Sequence, residues 1–186
     1  KLEARCRPDT IFCTNSSVMS PSEISAELQH RERFVGTHFW NPGHLIPLVE
    51  VVKSDASSDE VAQTVMEVLR SVGKKPVLCK KDVPGFIANR LQLALYREVQ
   101  DLVMRGVCSV EDADKALVYG PGLRWAIFGH NMIMQLGNPG GLTGMVNMLG
   151  NSGDRWLADM ASWTHQPDNW AEVAQPGVDE EMKHFP

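Results

Sequence analysis

Two ionisable side chains stand in segments that otherwise suit the core of a sheet. His38 lies in RFVGTHFW (33–40) and Glu50 in LIPLVEVV (45–52). Burying a glutamate is costly unless something pairs with it. The NPG at 41–43 is a turn signal, so the second segment can return beside the first and bring Glu50 to face His38. A buried carboxylate beside an imidazole holds one ring tautomer, which suits general-base work. The alternative for His38 is a core histidine bonded to backbone. Asn15 ends the short apolar stretch TIFCTN (10–15), and Ser16 and Ser17 follow it. They put small hydrogen-bonding groups at the carboxyl end of a strand, where open α/β sheets bind ligands, and they equally suit an Asx or Ser turn into a helix. Asn89 in VPGFIANR (83–90) is a polar residue at the start of an apolar helix, free to serve a site or to bond the preceding loop.

The elements that must position these groups are marked in the chain. TIFCTN reads as a strand. In SPSEISAELQ, Ser20 is an N-cap, Pro21 fits the first helical position and Glu23 completes a capping box. RFVGTHFW and LIPLVEVV are strands, the second with an edge-like or irregular start at Pro47. SSDEVAQTVMEVLRSVG (57–73) is a helix with a capping box at Ser57 and Glu60, an apolar stripe through Val61, Val65, Val68, Leu69 and Val72, and a stop at Gly73. KPVLCK (75–80) is a strand. Strands and helices in turn are the rhythm of an α/β layer. After DVPG (82–85) the chain turns helical. Residues 86–106 are apolar all round, as in a buried helix, and 109–120 form a capped amphipathic one. MIMQL, TGMVNML and WTHQPDNWAEVAQ are further helical stretches, the last joined to an extended tail. A domain boundary is expected near Pro84, giving domains 1–83 and 84–186.

Composition bounds the rest. The 186 residues are 43% hydrophobic and 22% charged, with a net charge of −5. That is ordinary globular composition, and no basic cluster points to nucleic acid. The four cysteines, at 6, 13, 79 and 108, have no C-x-x-C spacing and no nearby histidine cluster, so no metal site is expected. Free thiols in a reducing cytoplasm are the simpler reading. No signal peptide opens the chain and no apolar run suits a membrane span.

Together, GTHFWNP…PLVEVV, KPVLCKKDVPGFIANR and TIFCTNSS resemble the signature of the L-3-hydroxyacyl-CoA dehydrogenase family over about residues 9 to 120. The resemblance implies an α/β then all-α fold: the last strands of a Rossmann-type NAD-binding domain, then a helical C-terminal domain that forms a homodimer. It implies NAD-dependent, reversible oxidation of an L-3-hydroxyacyl-CoA to the 3-ketoacyl-CoA. His38 would be the general base and Glu50 its orienting partner. Ser17 and Asn89 would bond the reacting oxygen and the base. Asn15, Asn41 and Ser17 again would meet the nicotinamide end of NAD.

Two departures bear on these expectations. No G-x-G-x-x-G occurs in the 186 residues, so the pyrophosphate-binding turn is expected ahead of Lys1 and the chain to be the C-terminal part of a longer protein. Gly129, His130 and Asn131 stand where the family has a Gly-Pro-Phe turn, either as a substitution in a helix-entry loop or as a changed acyl pocket or dimer contact. Enzymes of the family acting on free 3-hydroxy acids, of carnitine, gulonate or diketo-ester type, are the alternative in the same chemistry. A non-catalytic dimerisation or structural module is the alternative of another class.

Overall fold

The two ionisable groups are carried by strands rich in valine and aromatic residues, β2 (Phe34–Phe39) and β3 (Leu48–Lys53), which pair antiparallel. In the computed structural model, which describes residues 2–184, β1 (Phe12–Thr14) runs parallel to β2 and β4 (Lys75–Cys79) parallel to β3. The result is a mixed sheet of order β1-β2-β3-β4. Pro47 precedes the first residue of β3, and its carbonyl accepts the Lys75 N–H at 2.8 Å, so the proline costs the ladder nothing.

Pleating sends alternate residues to opposite faces. Val35, Val49 and Val51 pack with Ala62, Val65, Met66 and Leu69 of α2 (Asp59–Ser71). Each fully buried valine contributes roughly 1.5–3 kcal/mol. The other face carries Gly36, His38, Glu50 and Val52. Val52 clusters there with Cys79 and Phe86. α1 (Pro21–Ile24) lies close over this face: a Cβ on Gly36 would stand 3.0 Å from Pro21 Cγ and 3.1 Å from Val52 Cβ. Ser20 caps α1, its hydroxyl accepting the Glu23 N–H at 3.3 Å.

Two expectations from sequence are corrected. The cap of α2 is Ser58, whose hydroxyl accepts the Val61 N–H at 3.1 Å. Ser57 turns inward, donates to the Phe34 carbonyl and accepts the Ser54 N–H at 2.7 Å, closing the loop after β3. The helix read over 86–106 is α3 (Ala88–Met104), and Gln100 is its one buried residue, with Leu91 and Leu93 more than half exposed. Leu95, Val99, Leu102 and Val103 are half-buried, so the helix has a covered side and an exposed one.

The chain divides into two units, Lys1–Leu93 and Ala94–Pro186, with α3 running through the division. The second unit holds α4 (Val110–Leu117), α5 (Leu123–Trp125), α6 (His130–Leu136), α7 (Gly141–Asp159) and α8 (Trp170–Met182). Ser109 caps α4. Arg105 grips Asp159 with two nitrogens, and the Trp170 indole donates to the Tyr96 hydroxyl at 2.7 Å. The indole of Trp125 donates to His130 Nδ1 at 3.2 Å, which gives that histidine a structural bond at the start of α6. Among the described residues no helix is long and apolar enough to cross a membrane.

Gln100 has no exposed surface, and neither atom of its amide has a partner among the described residues. Each unpaired buried polar group costs about 1–3 kcal/mol. Gln100→Met keeps the helix and the volume and removes both groups. It is expected to raise the denaturant midpoint, with a gain of about 1–3 kcal/mol in unfolding free energy. A loss of stability on this substitution would mean that the amide has partners in solution.

Candidate active site

The register of the β2–β3 hairpin puts His38 directly opposite Glu50 on one face, the arrangement in which antiparallel side chains meet. His38 Nδ1 lies 2.7 Å from Glu50 Oε2. An ionised carboxylate only accepts, so Nδ1 carries the ring proton and Nε2 presents its lone pair. Ser17 Oγ stands 2.8 Å from Nε2 and donates to it. The three side chains form one line, from an exposed hydroxyl through a buried ring to a carboxylate with no exposed surface.

Each member is fixed by the segment that carries it. β1 delivers the loop at 15–20. Asn15 Oδ1 accepts the Phe39 N–H at 2.8 Å, tying the loop to the end of β2. Ser16 Oγ accepts the Met19 N–H at 2.9 Å. At the far end of the loop Asp82 accepts from the Ser20 hydroxyl and from the Ser22 N–H. Because β1 and β2 are parallel, this loop and the end of β2 lie at the same edge of the sheet.

Glu50 has three partners besides His38. Its Oε1 accepts the backbone N–H groups of Ile87 and Ala88, each at 2.9 Å, and Trp40 Nε1 donates to Oε2 at 3.2 Å. The two amides open α3, so the positive end of a 17-residue helix dipole faces the carboxylate. Their direction comes from the turn before them, where Gly85 has φ +75° and Phe86 φ +48°. A left-handed phenylalanine is costly. It is held by its N–H bond to the Val83 carbonyl, at 3.0 Å, and by burial of its ring beside His38, centroids 5.5 Å apart. Burial pushes the Glu50 carboxyl up. The bonds from His38, Ala88, Ile87 and Trp40 outweigh it and hold the group below its ordinary value of 4.5.

Of the residues singled out in the sequence, Ser17, His38 and Glu50 are therefore joined directly. Asn15 acts first as the tether of its loop. Asn41 is exposed in the β2–β3 connection, at a cis bond to Pro42. Asn89 is half-buried, one residue past the amides that hold Glu50. Neither side chain is among the groups hydrogen-bonded to His38 or Glu50. Sequence reasoning missed Trp40 and the two amides. The signal was the demand itself: a buried carboxylate needs more donors than one histidine supplies, and a Pro-Gly-Phe turn opening a helix is a source of them.

The remaining candidates carry no comparable arrangement. Cys79 is buried, its thiol pushed up by burial and donating to the Lys81 carbonyl at 3.0 Å. All four cysteines are free, and no cluster among the described residues could hold a metal ion. An apolar groove lined by Ile11, Thr37, Phe39, Val65 and Leu69 lies on the opposite face of the sheet from His38. The chain thus offers a hydroxyl and amide groups beside a base at the carboxyl edge of two parallel strands, donors suited to the nicotinamide end of a dinucleotide. It offers no glycine turn for the pyrophosphate.

Known proteins resemble this chain over nearly its whole length. Residues 1–83 match the 3-hydroxyacyl-CoA dehydrogenase NAD binding domain and residues 85–178 the 3-hydroxyacyl-CoA dehydrogenase C-terminal domain. A 3-hydroxyacyl-CoA dehydrogenase of Gibberella moniliformis is 38% identical over 185 residues, 97% of this chain and 56% of the relative. An L-carnitine dehydrogenase of Pseudomonas aeruginosa is 38% identical over 167 residues, 90% of this chain and 50% of the relative. The crystal structure of an NAD+-dependent dismutase, a 5-formyl-3-hydroxy-2-methylpyridine 4-carboxylic acid 5-dehydrogenase, superposes with a TM-score of 0.76 at 30% identity, covering 94% of this chain and 54% of that one. The chain spans about half the length of the curated relatives it matches.

Replacing Glu50 by Gln keeps the shape and removes the charge. The amide nitrogen then faces the Trp40 and His38 donors, and a ring that must accept at Nδ1 carries its proton on Nε2. The expected loss is about 1.5–3 kcal/mol of stability at pH 7, the range for hydrogen bonds to a charged group. A carboxyl held below its ordinary value contributes stability that is complete above that value and lost as pH falls through the folded one. Urea unfolding across pH should therefore show the gap between wild type and E50Q at full size near neutrality, shrinking below about pH 4.5. A gap independent of pH would contradict an ionised Glu50.

Proposed function

The chain belongs to the 3-hydroxyacyl-CoA dehydrogenase family, and its first 83 residues to that family's NAD-binding domain; on that premise we propose that the protein carrying it oxidises the 3-hydroxyl of an L-3-hydroxyacyl-CoA reversibly to the ketone, with His38 as the base. The observation that carries this reading is the line Ser17–His38–Glu50, with an unprotonated Nε2 facing the Ser17 hydroxyl and a fixed anion behind Nδ1.

NAD, when bound, supplies the hydride acceptor. The chain's own residues handle the proton. His38 takes the proton of the substrate 3-hydroxyl on Nε2 while Nδ1–H stays on Glu50. The carboxylate stabilises the imidazolium and remains ionised, since its four donors favour the anion. The Ser17 hydroxyl turns from Nε2 to the reacting oxygen. Asn89 supports the same oxygen and the base. Asn41, the amide nitrogen of Asn15 and the Ser17 hydroxyl would hold the nicotinamide end of NAD. In the reverse direction His38 returns the proton to the new alkoxide.

The thioester is the first reading because a relative of that activity aligns with 97% of the chain at 38% identity. A free 3-hydroxy acid is the second, favoured by an L-carnitine dehydrogenase at the same identity over 90% of the chain. In the full-length protein, His38→Gln should lower turnover by about two to four orders of magnitude, the range for a lost general base, with little change in NADH affinity. Near-normal turnover would remove His38 from the mechanism. Acetoacetyl-CoA assayed beside free 3-keto acids separates the two substrates, and reduction of the free acids alone would replace the first reading by the second.

The helical unit supports a homodimer. Its described residues include few buried ones: Gln100, Ala113, Gly141, Ala161 and Ala174. Tyr119, Ile127, Leu136, Trp156 and Leu157 are each at least 60% exposed. Large apolar side chains left exposed in this number favour pairing with a second copy. Sedimentation of the full-length protein should give twice the mass of one chain. A single-chain mass at micromolar concentration would sink the dimer.

A further inference from the structure

Trp40 closes the carboxylate. An ionised carboxyl group offers about four acceptor sites, and Glu50 has four donors: two amides on Oε1, and the His38 ring and the Trp40 indole on Oε2. The indole is more than packing. Trp40 is half-buried, so its N–H could meet water, yet it points inward to an oxygen with no exposure. Its ring also stands edge-on to His38, with centroids 6.2 Å apart and planes at 67°. A phenylalanine at this position would keep the ring contact and lose the donor.

We propose that the Trp40 indole N–H is a positioning group for the base: by filling the last acceptor site of Glu50, it keeps the carboxylate an anion that holds the Nδ1 proton without drawing it harder. Without that donor, the charge of Oε2 falls on His38 alone. The imidazolium is then gripped more tightly and gives its Nε2 proton back less readily. Trp40 touches neither substrate nor cofactor in this role and acts through Glu50.

Other titratable groups on the surrounding elements do not share this function. Cys79 on β4 is a buried thiol bonded to the Lys81 carbonyl. Asp82 is taken by Ser20 and Ser22 at the start of α1. Arg90 on α3 donates to the Pro84 carbonyl at 3.3 Å. His44 is exposed in the β2–β3 connection. The loop at 15–20 contributes only hydroxyl and amide groups to this face.

The direct test is nitrogen-15 NMR of the full 186-residue chain. The five tryptophans give five indole N–H signals. The signal absent from W40F, or left over after the other four tryptophans are replaced one by one should W40F not fold, is expected to titrate in step with the His38 ring. It should stop titrating in H38Q. The Trp125 indole, bonded to His130, is the internal comparison and must follow His130 instead. A Trp40 signal indifferent to pH while the His38 ring titrates would overturn the proposal. In the full-length enzyme, W40F should move the acid limb of kcat/KM to higher pH by about half to one unit, the size of one hydrogen bond. A lowered Tm with an unmoved limb would make Trp40 a packing residue only, and would also overturn it. The kinetic arm rests on His38 as the base and the NMR arm does not. A normal turnover in H38Q therefore ends the functional reading, whereas an indifferent indole ends this one.

Discussion

A full negative charge sits on Glu50 in the middle of the sheet, with no exposed surface, and the surrounding structure is arranged to make that tolerable. An isolated ionised carboxylate cannot persist in such a place. The hairpin register brings it His38, the tight turn at Gly85 and Phe86 brings it two amides, and the end of β2 brings it an indole. Each donor satisfies the anion, and the anion in return fixes each donor. The imidazole is consequently locked in tautomer and angle before any substrate arrives. The same bonds that make the charge bearable fix the ring.

What was legible in the sequence was what short-range physics decides. The valine- and aromatic-rich runs, the Asn-Pro-Gly turn between them and the pairing of His38 with Glu50 follow from periodicity and from the cost of a buried charge. The caps at Ser20 and Ser109 are local as well. The misses have a common cause. Ser57 and Ser58 are equivalent by propensity, and the choice between them is made by the Phe34 carbonyl, far back in the chain. The amides of Ile87 and Ala88 belong to the backbone, which no residue letter advertises. Trp40 reads as one more aromatic in an apolar strand until its indole nitrogen is placed. Helix α3 looks buried by composition, because an apolar surface reads alike whether it packs within the chain or against something else.

Every polar partner of the dyad lies between Ser17 and Ala88, within the first compact unit. The hydrogen-bonded dyad is therefore assembled on the sheet and the first turn of one helix. The family's dinucleotide turn is absent from these 186 residues, and the relatives are about twice as long. A base held this rigidly suits that division. Its geometry is set by contacts made entirely beside it, so the remainder of the protein can differ among relatives that act on thioesters and on free acids.

Two of Glu50's four donors are main-chain groups, and this makes the site unevenly vulnerable to mutation. Almost any side chain can be exchanged at 87 or 88 without deleting an N–H. The one exception is proline, and the first residue of a helix is where proline is otherwise most welcome. At Ala88 the preference of the helix and the need of the carboxylate are opposed. Drift at these two positions is thus free in eighteen of the nineteen possible substitutions as far as the anion is concerned, and closed in the one that helix formation alone would permit.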